Sequence, residues 1–200
     1  ISVFINEIHY ENAGGDTDEG IEIAGTAGTD LSCYQIDLYN GNSNSVYNTI
    51  TLSGTIPNQQ CGYGTVWFDI PGIQNGSPDG VSLYDTCNSI MIQFLSYEGT
   101  MAAQGGPADG LNSIDIGYNE DDADVGESIQ LVGTGSHHGD FSWQAATAES
   151  KAMVNPNQNF CVTTTVGCGT DSTQMALTII TQMYGYEIAW SITDGSGIVI

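Results

Sequence analysis

Val3-Phe4-Ile5-Asn6-Glu7-Ile8-His9-Tyr10-Glu11-Asn12-Ala13-Gly14-Gly15-Asp16-Thr17-Asp18-Glu19-Gly20-Ile21-Glu22-Ile23-Ala24-Gly25 reads as two short strands joined by an acidic, glycine-containing loop. Apolar residues dominate Val3 to Ile8, with Asn6 and Glu7 interrupting them, and in the second run Ile21 and Ile23 alternate with Glu22. A glutamate in each strand is the unusual part. Working outward, Cys33 to Tyr39 alternates as a half-buried strand should, and Asn40 to Asn44 is a turn cluster. Val46 to Leu52 and Gly64 to Ile70 read as the next strands, and Val81 to Tyr84 with Ser89 to Tyr97 as a hairpin around Asp85-Thr86-Cys87-Asn88. After Glu98 the pattern weakens to Asp115–Tyr118, Ser128–Val132 and Phe141–Trp143, and no segment has a helical apolar period. Short strands at roughly 8–15-residue spacing predict an all-β antiparallel sandwich.

Asn155 to Asn159 reads as the end of that domain, which we place at residues 1–162. Beyond it, Met175–Thr181, Tyr186–Thr193 and Ile198–Ile200 are strand-like, but about 30 residues cannot close a sandwich. Residues 169–200 are therefore expected to begin a second β module whose remainder is missing. The chain opens Ile1-Ser2-Val3 without Met or a leader, which suggests a processed start or a cut fragment.

Twenty-four acidic residues face one basic residue, Lys151, for a formal net charge of −23. Nucleic-acid affinity comes largely from Lys and Arg displacing counterions, so DNA and RNA are excluded as direct partners, and so is an anionic membrane surface. No apolar run approaches the roughly 18 residues of a spanning helix. The carboxylates favour solubility and hard cations in an extracellular setting.

Asn6-Glu7-Ile8-His9-Tyr10 followed by Glu19-Gly20-Ile21-Glu22-Ile23-Ala24-Gly25 resembles the opening of the lamin-tail domain of secreted bacterial proteins. The resemblance continues through Asp30-Leu31-Ser32, Leu38-Tyr39-Asn40-Gly41, Phe68-Asp69-Ile70-Pro71, the run Gly72 to Gly80, Gln93 to Gly99, Asp115-Ile116-Gly117 and Gly139-Asp140-Phe141, covering about residues 1–160 in order. Gly20 and Cys33 depart from the family pattern, which usually has a bulky apolar residue and a Gly there. The resemblance implies an immunoglobulin-like sandwich. Residues 169–200 are similar to short tandem β-repeats of secreted bacterial proteins.

Five cysteines leave one unpaired. If consecutive strands run up and down, Cys33, Cys61 and Cys87 share one end of the sandwich. The family likeness, in which C-like and F-like strands are neighbours, favours Cys33–Cys87, with Cys33–Cys61 as runner-up. Cys161 and Cys168 flank the domain junction and are expected to pair with each other, or Cys168 with a partner further on.

Glu7, Glu19 and Glu22 include enough carboxylates for acid–base work, but as residues in or beside strands they read better as caps or partners of backbone amides. Two loop clusters, Asp16, Asp18 and Glu19, and Asp121, Asp122 and Asp124, are the candidate Ca²⁺ ligands, although neither has EF-hand spacing. His137-His138 with Asp140 and His9 is the one transition-metal set, and adjacent histidines point apart. There is no G-x-S-x-G elbow and no phosphate-binding glycine loop. Tyr10, Tyr34, Tyr39, Tyr47, Tyr63, Tyr84, Tyr97 and Tyr118 sit mostly where a sandwich uses tyrosine for packing. The resulting expectation is a secreted, non-catalytic binding, adhesion or spacer module. Its partners are other domains of the same polypeptide and an extracellular polymer or cell-surface component. The alternative is the accessory substrate-binding segment of a secreted hydrolase of nuclease or phosphatase type, with Ca²⁺-assisted contacts.

Overall fold

The computed structural model describes residues 3–162. The chain divides into two units, Ile1–Thr163 and Thr164–Ile200. The expected β module at 169–200, and Cys168 with it, lies outside the described residues.

The described unit is an all-β sandwich. Its first sheet has the order β10-β9-β1-β2-β5 and contains β1 (Val3–His9), β2 (Gly20–Thr26), β5 (Tyr63–Asp69), β9 (Glu127–Thr134) and β10 (Phe141–Ala148), with the short β11 (Gln158–Asn159) also pairing with β9. The second has the order β4-β3-β6-β7-β8, built from β3 (Tyr34–Asn40), β4 (Ser45–Thr51), β6 (Asp79–Asp85), β7 (Ile90–Tyr97) and β8 (Ile114–Asp115). All pairings are antiparallel except β11 with β9 and β8 with β7.

The interruption at Asn6-Glu7 is a β-bulge. Ile5 pairs with Ile23 and Glu7 with Glu22, which leaves Asn6 as the extra residue. In an unbroken strand Ile5 and Ile8, three apart, would face opposite sides; the bulge turns both inward. There they meet Ile21, Ile23, Ile36, Leu38, Val81, Leu83 and Leu95 in one buried cluster. Each such side chain contributes roughly 1.5–3 kcal/mol on burial.

The same bulge sends Phe4 and Glu7 to the outer face of the first sheet, which is not left open to solvent. The segment after β10 crosses that face, adds β11 to the upper half of β9 at Gly133 and Thr134, and lays Phe160 against Phe4, Phe141 and Tyr63. Asn155–Asn159, which the sequence reads as a domain end, is thus a strap woven into the sheet. Pairing of a two-residue strand leaves no periodicity to detect. β10 also runs to Ala148, well past the three residues legible in sequence.

Cys33, just ahead of β3, is bonded to Cys87 in the β6–β7 turn, with Cα atoms 5.4 Å apart, because Tyr34 pairs with Asp85. Cys61 lies at the same end of the sandwich but does not join that pair. It precedes β5 in the other sheet and bonds Cys161 at the end of the strap, Cα to Cα 5.3 Å. This corrects two expectations: Cys33–Cys61 would have to bridge the two sheets, and Cys161 is not available to Cys168. At Gly20 a Cβ would strike the indole of Trp67 together with the Phe68 carbonyl, so no bulky side chain fits there.

Candidate functional site

Two concentrations of polar side chains involve the candidate carboxylates, and the first is the outer face beneath the strap. Cross-strand register sets Gln144, Gln130, Glu7, Glu22 and Trp67 in one row across five strands. Glu7 and Glu22 are each 0 % exposed. A Glu7 oxygen accepts from the Ser128 hydroxyl at 2.6 Å and the Ser150 N–H at 3.1 Å, and the other accepts from the Ser150 hydroxyl at 2.9 Å. Glu22 accepts from Asn6 Nδ2 at 2.9 Å and from the Ala152 N–H at 2.7 Å. Two strand glutamates therefore hold the strap's backbone to the sheet. Lys151, the lone cation, closes the margin by pairing with Glu149 at 2.8 Å and lying 4.9 Å from the Trp67 ring centre.

Burial pushes the Glu22 carboxyl up to about 8, and the neighbouring Glu7 charge adds to that. Burial also raises Glu7, partly offset by its Ser128 and Ser150 hydrogen bonds. Gln158 donates to Asn6 Oδ1 at 2.6 Å, while its own Oε1 has no partner among the described residues. Turning both amides over lets a protonated Glu22 donate to Asn6 Oδ1 and Asn6 donate to Gln158 Oε1. In either orientation one Gln158 amide atom, Oε1 or Nε2, is left without a partner among the described residues.

The second concentration joins the β1–β2 loop to the loop before β9. Buried Glu120 organises it: one oxygen takes the Tyr10 N–H at 2.6 Å and the Glu11 N–H at 3.2 Å, the other lies 3.1 Å from His9 Nδ1. For His9, burial opposes the charge, but the Glu120 carboxylate outweighs it and holds the imidazole above its ordinary value. Tyr10 stacks on Tyr97 with ring centres 3.9 Å apart, donates to Glu98 at 3.1 Å and accepts from the Glu120 N–H at 3.1 Å.

Against this frame Glu11, Glu98 and Asp121 converge, each offering an oxygen within 4.8 Å of the others, and no other set of three candidate ligands does so among the described residues. Burial followed by the charges of Asp121 and Asp16 raises Glu11; burial followed by Asp121 and Glu11 raises Glu98. The candidate ligands read from sequence thus divide. Asp121 joins the convergence and Asp16 lies at its margin. Asp18 takes a left-handed turn and offers its carbonyl to Lys151, Glu19 caps Gly72, and Asp124 meets Glu127. Asp122 is exposed in the turn. Glu11 and Glu98 were not readable because 87 residues separate them, and the stacked Tyr10–Tyr97 pair with the Tyr10–Glu98 hydrogen bond brings their loops together.

At the surface the Asp140 carboxylate accepts from the His137 N–H at 2.9 Å, and His138 turns its ring edge-on to Phe4, 5.9 Å between centres, so the histidines do not converge. Of the eight tyrosines only Tyr118 is exposed, at 42 %. No helix among the described residues is long and apolar enough to cross a membrane. No protein-family model, curated protein or solved structure matches this chain.

Proposed function

We propose that the chain is a non-catalytic extracellular module of lamin-tail type, serving binding, adhesion or spacing within a multidomain secreted protein. The observation that carries this reading is the use made of Glu7 and Glu22. The carboxylates best placed for acid–base work are sealed from solvent and engaged in fastening the strap. Two disulfides support an oxidising, extracellular setting. Incubating the purified chain with phosphodiester, phosphomonoester, ester and glycoside substrates tests it: no turnover is expected. Turnover abolished by Glu22→Gln in a folded protein would overturn it.

The convergence of Glu11, Glu98 and Asp121 favours a second reading, an accessory substrate-binding segment of a secreted hydrolase whose contacts use Ca²⁺. Three carboxylates supply half or less of the roughly six to eight oxygens Ca²⁺ takes, leaving coordination for a polymer's own oxygens. On this reading Ca²⁺ raises the melting temperature relative to EDTA, and Asp121→Asn removes the difference. Identical melting curves leave the first reading alone.

A further inference from the structure

The second sheet has an unfilled strand position. β8 pairs with β7 only at Leu95 and Ser96. Upstream of it the chain turns to the 101–103 segment instead: Ser113 N–H donates to the Met101 carbonyl and Ala103 N–H to that of Leu111. Met91 to Phe94 are consequently paired with β6 on one side only. The resulting groove, ≈ 280 Å³, is lined by Met91, Phe94, Leu111, Ile114 and His138 among others. Ile114 is 69 % exposed and Leu111 43 %, so an apolar wall stands in water beside an open row of backbone groups. In the other wall Gln93, held through Oε1 by the Ile5 N–H at 2.7 Å, leaves Nε2 without a partner among the described residues, as does His138 at Nε2.

Past β8 the surface changes character. A second cleft of ≈ 340 Å³ is lined by Glu98, Asp115, Tyr118 and Ala145. We infer that this groove takes an extended peptide segment of a basic partner protein, added as a strand beside β7. Its apolar side chains face Phe94, Leu111 and Ile114, and a Lys or Arg passes Glu98 and Asp115. Main-chain hydrogen bonds give such an addition its affinity and the alternate side chains its specificity. Charge decides the class of partner: a second copy would set one −23 chain against another, whereas a basic segment meets the complement of a surface with a single cation. The free edge of β4 has no such walls, with Thr49 and Thr51 exposed to solvent. This inference rests on the binding-module reading and names its partner.

The experiment is selection from a library of displayed random twelve-residue peptides on the full chain. Enriched peptides should alternate apolar residues and end in Lys or Arg. Ile114→Lys and Asp115→Lys should each weaken binding about tenfold or more, about 1.4 kcal/mol, with Thr51→Lys without effect. The outward amides between Met91 and Phe94 should exchange fast in the free chain and slow at least about tenfold with peptide bound. No enrichment, peptides indifferent to Ile114→Lys and Asp115→Lys, retention on a polysaccharide instead, or slow exchange in the free chain would each overturn the inference. Those results would leave the non-catalytic reading standing, because only substrate turnover bears on that.

Discussion

Replacing Glu22 by Gln should stabilise this protein at neutral pH. The folded carboxyl sits at about 8 against 4.5 for the free group. Because the folded value is the higher one, the native state binds the extra proton. Stability is fully present below pH 4.5, falls as pH rises through the window up to 8, and is flat above it. At pH 7 the protonated group has given up roughly 3 kcal/mol relative to an unfolded chain free to ionise. A neutral amide has nothing to give up. Its added N–H₂ finds Asn6 Oδ1 once Asn6 and Gln158 turn over, an exchange that places Gln158 Nε2 instead of Oε1 at the position without a partner among the described residues. The substitution should therefore raise the melting temperature at pH 7 by roughly 6–12 °C, at the 2–4 °C per kcal/mol of a domain this size. It should also flatten the pH dependence between 5 and 8. Scanning calorimetry of both proteins at pH 5, 6, 7, 8 and 9 with disulfides intact measures this, and Glu7→Gln serves as the weaker companion in the same direction. A variant less stable than the parent at pH 7, or one with the parent's slope, would refute the reasoning.

The clasp between Cys61 and Cys161 closes a loop of 100 residues, so Cys61→Ser with Cys161→Ser should cost about 4–5 kcal/mol; urea unfolding checks it, and protease cuts should appear first between 149 and 160. Tyr10→Phe strips the acceptor from the buried Glu120 N–H and the donor from Glu98, which should cost about 1–3 kcal/mol in the same measurement. At Gly20, substitution by Val drives a side chain into the Trp67 ring. A loss of about 1–3 kcal/mol and a shift in tryptophan fluorescence, as Lys151 parts from the indole, are expected.

Apolar runs, alternation and turn residues together touched ten of the eleven strands, β8 by Asp115 alone, because most of them have one face in the core and the period-2 signal follows from that. The opening stretch carried more than its periodicity. Its break at Asn6-Glu7 marks the bulge, and its two odd glutamates mark the strap's attachment, but neither meaning is visible without the residues that cover them. Ser150, Ala152, Asn155 and Gln158 are ordinary loop residues in sequence and supply the partners of Glu7, Glu22 and Asn6. Cys61 misled for a similar reason: an up-and-down count assigns ends, not sheets. The Glu11–Glu98–Asp121 convergence depends on a ring stack 87 residues apart, beyond any local pattern.

The register carries one more implication. Val3 lies opposite Gly25, which lies opposite Gly64, and Cys161 is tied to Cys61 beside it. Two strand spacings, about 10 Å, therefore separate Val3 from Gly64, and Val3 and Cys161 lie at the same end of the sandwich. The three carboxylates stand at the far pole, past His9 and Gly20. Tension applied between Val3 and Cys161 would therefore load one end of the sandwich only, and the three carboxylates at the opposite end would stay outside the line of force.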